Sequence, residues 1–251
     1  MKFDYPTPDQ LTALKALWKQ AFGDPDDFID QFFCTGFGEA RCRCAVENGQ
    51  LTAALYWFDC ELEGRRLAYL YAIATDKQFQ NRGICHALMD DTHALLQAQG
   101  YSGTLLVPGA TSLGAFYSAM GYRYATELRE FFCAAAPEPI FLRPIDAQEY
   151  ARLRVNLLPK GGVIQEGSSL AFLSAQANLY AGTHLLLAAR RDGDTLYGLE
   201  LLGDAAAAPG LLQALGASKG QFRAPGGSRP FAMYRPLDNA PAPAYFAFAF
   251  D

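Results

Sequence analysis

Apolar residues recur along the first third of the chain in a helical rhythm that gives way to strand-like runs. Leu11, Leu14, Leu17 and Trp18 repeat at three and four residues, one face of an α-helix, and Thr7-Pro8-Asp9-Gln10 reads as its start. Thr7 caps, Pro8 takes the first helical position and Gln10 reaches back. Asp24-Pro25 opens a second helix whose face is Phe28, Ile29, Phe32 and Phe33. Strands follow at about Arg41 to Glu47 and Gln50 to Cys60, joined by an Asn48-Gly49 hairpin turn. Glu63-Gly64 turns the chain into a third strand, Arg66 to Thr75, whose apolar run is nearly continuous, as in a central strand covered on both faces.

A polar loop, Asp76 to Arg82, leads to Gly83 and a helix marked by Ile84, Leu88, Leu95 and Leu96 and closed by Gly100. Tyr101 to Val107 is the next strand, Thr111 or Ser112 caps a short helix through Met120, and Tyr122 to Cys133 is expected to return to the same sheet. Ala134 to Pro139 is the best linker in the chain, which divides it into domains at 1–136 and 137–251. The second part starts again with helices, at Asp146-Ala147-Gln148-Glu149 and from Ser168 or Ser169 through Leu179. A hairpin of Thr183 to Arg190 and Thr195 to Leu202 follows, then a helix at Pro209 to Leu215 and extended segments at Phe231 to Tyr234 and Ala244 to Phe250. This order faintly repeats that of the first half.

Composition narrows the class. With 51% hydrophobic and 13% aromatic residues in 251, the chain can build a real core, which excludes disorder as its main state. Its 21 Lys and Arg against 26 Asp and Glu give a net charge of −5, so no diffuse positive field is present to hold nucleic acid or an anionic membrane. No stretch approaches the ~20 apolar residues of a membrane span, and the N-terminus lacks the apolar core of a secretory signal, so a cytoplasmic protein with reduced cysteines is expected. Cys42 and Cys44 have no second Cys/His pair at ligand spacing, and His86, Asp90 and His93 fit the polar solvent face of an amphipathic helix. No metal site is expected.

The most informative stretch is Tyr69 to Thr75 with Gln80-Asn81-Arg82-Gly83-Ile84-Cys85 after it. A buried strand that enters a polar loop and then a glycine at a helix start gathers backbone N–H groups and the positive end of the helix dipole at one point, which suits an anion. Arg82 adds a nearby positive charge, and glycine lets phosphate oxygens reach the amides. One strand and one turn later comes Leu113-Gly114-Ala115-Phe116-Tyr117-Ser118-Ala119-Met120-Gly121-Tyr122.

With both segments in this order, residues 5 to 133 resemble the GNAT superfamily of acyl-CoA N-acyltransferases. Gln80, Gly83 and Cys85 stand at the positions of the family's Q/R-x-x-G-x-G/A motif, and Phe116-Tyr117 and Gly121-Tyr122 at its Phe-Tyr and Gly-aromatic pairs. Cys85 departs from the small residue usual there. The asparagine often found upstream of the tyrosine is absent, Ala110 standing nearest. The resemblance implies an α/β mixed-sheet acyl-CoA N-acyltransferase fold with a second, smaller GNAT-like α/β domain. It also implies a donor, acetyl-CoA, whose pantetheine pairs beside Ile73, Ala74 and Thr75. The pyrophosphate would lie on the turn from Gln80 through Asn81, Arg82, Gly83, Ile84 and Cys85 to His86, with Phe116 nearby. An active first half with a motif-free, degenerate second half also looks like the tandem acetyltransferases, including the aminoglycoside-modifying enhanced intracellular survival proteins.

Acyl transfer to an amine needs a deprotonated amine, a stabilised oxyanion and a proton for the departing thiolate. Tyr117 is the candidate acid, since a phenol of pKa near ~10 is protonated at pH 7. A backbone N–H around Ile73 to Thr75 would serve the oxyanion. No base announces itself among Asp76, Glu61, Glu63 and Asp251, with a water chain as the bland alternative. Asp24, Asp26, Asp27 and Asp30 could draw a cationic amine, although acids at a helix start are ordinary dipole partners. His184 is expected to be packed or hydrogen-bonded. The expected acceptor is a small-molecule or peptide amine, with a homodimer as the candidate assembly.

Overall fold

A computed structural model describes residues 1–227 and 229–249. The chain forms two compact units, Met1–Arg123 with Tyr234–Pro241, and Tyr124–Met233 with Ala242–Asp251. In chain order the elements are β1 (Lys2–Asp4), α1 (Leu11–Phe22), α2 (Asp26–Thr35), β2 (Cys42–Glu47), β3 (Gln50–Leu62), β4 (Arg65–Thr75), α3 (Ile84–Ala98), β5 (Gly103–Leu106), α4 (Leu113–Ala119) and β6 (Arg123–Tyr124). They continue with β7 (Glu127–Ala134), β8 (Leu142–Pro144), α5 (Ala147–Leu157), β9 (Ile164–Gln165), α6 (Ser168–Gln176), β10 (Asn178–Gly182), β11 (Leu185–Asp192), β12 (Thr195–Gly203), α7 (Ala208–Leu215), β13 (Lys219–Pro225), β14 (Arg229–Pro230) and β15 (Met233–Pro236).

In the first unit Thr7 N–H donates to Gln10 Oε1 at 3.0 Å, closing the turn that leads into α1. Strands β2, β3 and β4 form an antiparallel meander. Its two tight turns have left-handed pairs, Asn48 (φ 51°) with Gly49 (φ 80°) and Glu63 (φ 51°) with Gly64 (φ 79°), as primed hairpin turns require. Trp18 from α1 and Phe32 from α2 pack on the ring of Tyr56 at 5.4 and 5.2 Å between centroids, and all three are buried.

Two irregularities of β4 shape the unit. Tyr56 pairs with Tyr71 and Ala54 with Ala74, so Leu55 stands against both Ala72 and Ile73, a bulge with Ala72 at φ 48°. The parity of the strand flips there: Tyr71 and Ala74 share the α1 and α2 side, which leaves Thr75 on the opposite side. In addition, β5 pairs in parallel with β4 only at Leu67, Ala68 and Tyr69. Beyond Tyr69 the β5 side of β4 has no strand partner among the described residues.

The strand order is β1-β2-β3-β4-β5-β15-β6. Here the expectation for Tyr122 to Cys133 fails: beyond the two residues of β6, that segment forms β7, which pairs with β13 and β14 in the second sheet. The place beside β5 belongs to β15, where the ring of Tyr234 covers Gly103 so closely that a Cβ there would collide with it. The units therefore divide at Arg123/Tyr124 and not at 136/137.

The second unit carries the sheet β14-β7-β13-β12-β11-β10-β8. Here α7 follows the meander β10-β11-β12 and leads to β13, which pairs in parallel with β12, the same relation that α3 establishes between β4 and β5. Leu187, Leu201, Leu211, Leu212 and Phe222 form its buried centre. Arg154 makes two hydrogen bonds to Glu200 at 2.8 and 3.0 Å, and Tyr150 and Tyr245 donate to the same carboxylate, so this buried charge is paired and its acceptors are filled. The helix expected through Leu179 stops at Gln176, because buried Leu179 and Ala181 alternate with more exposed Asn178, Tyr180 and Gly182 on β10. Residues 244–249 form only an isolated bridge, from Gly162 to Tyr245, and Phe250 lies outside the described residues.

Candidate acyl-CoA site

The turn from β4 to α3 is held from beneath. Asp76 Oδ1 accepts Gln78 N–H at 2.8 Å, and Gln20 of α1 donates to Asp76 Oδ2 at 3.2 Å while its own Oε1 accepts Lys77 N–H at 3.0 Å. Gln80 Nε2 reaches back to the Thr75 carbonyl at 3.2 Å. Asn81 (φ 61°) and Gly83 (φ 74°) then turn the backbone into α3. The first helical bond runs from Ala87 N–H to Gly83 O at 3.0 Å, so the N–H groups of Ile84, Cys85 and His86 have no partner within the helix. A Cβ on Gly83 would meet no atom within 4 Å. The glycine answers to its dihedral angle, and the space ahead of the amides is open, a cradle of the right sign for an anion.

The side chains of this turn divide by role. Ile84 is buried beneath it, and Asn81, Arg82 and His86 are exposed. Arg82 lies 2.9 Å from Glu47 Oε2 and over the Phe79 ring, so the positive charge it brings to the turn is shared with a carboxylate. His86 Nδ1 lies 3.1 Å from Asp90 Oδ2. Cys85 turns inward, and burial pushes its thiol up to about 11, opposed by the neighbouring Thr75 hydroxyl.

Tyr117 of α4 is 8% exposed. Burial, and secondarily the Cys85 thiol, hold its phenol well above the ordinary tyrosine range. Its ring stands edge-on to Phe116 at 5.3 Å and to Tyr122 at 6.0 Å, while Phe116 itself is exposed. Ile73, Ala74 and Thr75 occupy the stretch of β4 that β5 has left. The structure thus brings Thr75, Cys85 and Tyr117 together, at the end of one strand and the first turn of α3.

The expected bases fare differently. Both oxygens of Asp76 are engaged in holding the loop. Glu61 pairs with Arg66 at the far end of β4 and Glu63 sits in the turn beyond it, roughly 30 Å of strand from Thr75. Asp251 lies outside the described residues. Asp24 accepts the Trp18 indole N–H at 2.7 Å, and Asp26 and Asp30 pair with Lys19 and Lys15, each at 2.6 Å. His93, expected on the solvent face, is buried at 3% exposure and hydrogen-bonds Tyr122 Oη at 2.8 Å. His184 is an exposed turn residue (φ 56°), not a packed one. Among the described residues no three His, Cys, Asp or Glu gather as metal ligands, and no helix is long and apolar enough to cross a membrane.

Residues 2–125 match the family model described as an Acetyltransferase (GNAT) domain. No curated protein sequence gives a match. Among solved structures, a GCN5-related N-acetyltransferase from Kribbella flavida is 17% identical with a TM-score of 0.72, covering 94% of this chain and 71% of its own. Eis1 from Mycobacterium abscessus is 15% identical with a TM-score of 0.69, covering 95% of this chain and 74% of its own. A probable N-acyltransferase from Enterococcus faecalis is 15% identical at 0.70, covering 94% and 73%. At such identities the likeness is one of fold, and it extends over both units. Residues 2–125 are thus an acetyltransferase (GNAT) domain.

Proposed function

We propose that this protein is a cytoplasmic N-acetyltransferase that moves the acetyl group of acetyl-CoA to a primary amine of a small molecule or peptide, with one CoA site, in the N-terminal unit. The observation that carries this is the parting of β4 from β5 beside a helix start with open N–H groups, with the Tyr117 phenol behind its first turn. The bound donor supplies an activated thioester carbon. The amides of Gly83 to His86 would hold its pyrophosphate, and the free edge at Ile73 to Thr75 would pair with its pantetheine and offer an N–H to the oxyanion. Tyr117, kept protonated by burial, would give its proton to the departing thiolate. Six free cysteines suit a reducing compartment.

The C-terminal unit takes no CoA in this scheme. Its turn after β12 reproduces the first step, Asp204 accepting Ala206 N–H at 2.9 Å, but then runs directly into α7 with Pro209, which has no N–H to offer, in the first turn. It is a degenerate GNAT-like domain. A CoA-binding module without turnover is the second reading, favoured by the engagement of Asp76 and the distance of Glu61 and Glu63. Release of free CoA thiol over a panel of aminoglycosides, polyamines, amino acids and peptides supports the enzyme. Binding of CoA without release over the whole panel supports the module. A titration ending at two CoA per chain would overturn the single-site assignment.

A further inference from the structure

We infer that Tyr122 is a positioning residue for the phenol of Tyr117, and that a buried chain of hydrogen bonds beginning at Arg235 holds it in place. The role rests on the acid assignment proposed above. Helix α4 by itself gives Tyr117 little support: it has seven residues, of which only Gly114 and Tyr117 are buried. Among the described residues the Tyr117 hydroxyl has no hydrogen-bond partner, so it is able to donate, and its place is set by contacts of the ring and backbone alone. Of the two rings that stand against it, Phe116 is exposed and Tyr122 is fully buried. The Tyr122 N–H also donates to the Tyr117 carbonyl at 3.2 Å, so the two residues are joined through both backbone and ring.

The chain of bonds has a direction. Arg235 of β15 has donors and no acceptor, so it donates to His93 Nδ1. The other imidazole nitrogen then carries the proton and donates to Tyr122 Oη at 2.8 Å. Among the described residues the acceptor left for the Tyr122 hydroxyl proton is Thr104 Oγ1, 2.7 Å away. Strands β15 and β5 and helix α3 therefore converge on one phenolic oxygen. The stem of Arg235 also covers the turn before it, where a Cβ on Gly121 would lie 3.6–4.0 Å from the arginine side chain. A buried network with its partners met holds one geometry and resists rearrangement. The Tyr122 oxygen is shielded and engaged on both sides, so it is not placed to bind a ligand or pass a proton; what the residue touches is Tyr117. Precise placement matters there, because a shift of ~1 Å at a reacting group can lower a rate by about 10²-fold.

The test measures kcat, CoA affinity and Tm for Tyr122→Phe and Arg235→Met, each alone and each combined with Tyr117→Phe, on an acceptor that the parent turns over. Phenylalanine keeps the ring and removes the oxygen, and methionine keeps much of the stem and removes the donor. Each single variant is expected to lower kcat roughly 10-fold and to leave CoA affinity within about twofold. With Tyr117→Phe already present, neither should lower kcat by more than about twofold, because the group being positioned is gone. The Arg235 side chain is 29% exposed, so its variant reads the chain of bonds even where Tyr122→Phe melts below the assay temperature. A kcat equal to the parent's would overturn the inference and leave the acid assignment standing. So would an undiminished loss in the Tyr117→Phe background, or a loss of CoA affinity as large as that of kcat, since the network would then serve the fold at large. If Tyr117→Phe alone turns over like the parent, or the parent turns over no acceptor, the acid assignment itself falls and the inference with it.

Discussion

Arg235 donates a hydrogen bond to Nδ1 of His93 from 142 positions further along the chain. This leaves the proton of the neutral imidazole on Nε2, facing Tyr122 Oη. Burial first, and then the guanidinium and His86, pull the His93 pKa from 6.5 down to about 3. Because the folded form resists protonation, the unfolded chain binds more protons below pH 6.5, so stability is complete above that value and falls as pH drops from there towards 3. The expected loss from this residue is about 2 kcal/mol by pH 5, at ~1.4 kcal/mol per unit. Urea unfolding at pH 7 and pH 5 measures it, and His93→Gln should remove that part of the slope.

Tyr117→Phe should lower kcat by roughly 10²- to 10⁴-fold, as loss of a general acid does, and change acetyl-CoA affinity by less than about twofold. The raised phenol pKa adds that the parent shows no alkaline fall in rate from this group below about pH 10. An unchanged kcat would remove the acid role and leave water as the proton source.

Gly83 separates backbone strain from ligand space. Gly83→Ala places a Cβ on a residue at φ 74°, which costs about 1–2 kcal/mol of stability, yet that Cβ meets nothing within 4 Å, so CoA binding should survive within several-fold. Gly83→Asp sets a carboxylate before the open amides and should abolish binding. A Gly83→Asp variant that binds CoA like the parent would place the pyrophosphate elsewhere.

Asp76 is expected to act through the loop and not through its charge. Asp76→Asn keeps an acceptor for Gln78 N–H and should retain kcat within about threefold, whereas Asp76→Ala frees the turn, costs roughly 1 kcal/mol and raises the acetyl-CoA KM. A hundredfold fall in kcat for Asp76→Asn, with CoA affinity kept, would show that the carboxylate takes part in the chemistry.

Local chemistry was legible wherever it acted over a few residues. Asn48-Gly49, Glu63-Gly64, Thr7 with Gln10 and the glycine before α3 all sit where their backbone preferences put them. His93 was legible too, and missed: Ile84, Leu88, Met89, Thr92, His93 and Leu96 are the buried stripe of α3, and the helical period includes the imidazole. The bulge at Ala72 left no mark, since alanine is not a residue that announces φ 48° and the neighbouring apolar run reads as unbroken. Nor could Gln20 be connected to Asp76, because 56 positions separate them and only the fold brings them together. Sheet membership was the largest loss. Glu127–Ala134 and Met233–Pro236 both mix apolar with charged residues over a few positions, and which one lies beside β5 is decided by distant pairing that no local pattern encodes.

That exchange of strands has a consequence during synthesis. The first unit is not complete when its first 123 residues leave the ribosome; about 110 more must follow before Tyr234–Pro236 can emerge and join it. At ~5–20 residues per second, β5 waits for roughly 5–20 s with a bare edge, open to pairing with other chains. A version ending at the linker near residue 136 would make that wait permanent and would also lack Arg235, so the N-terminal part made alone should aggregate, while the full chain, once finished, closes its own edge.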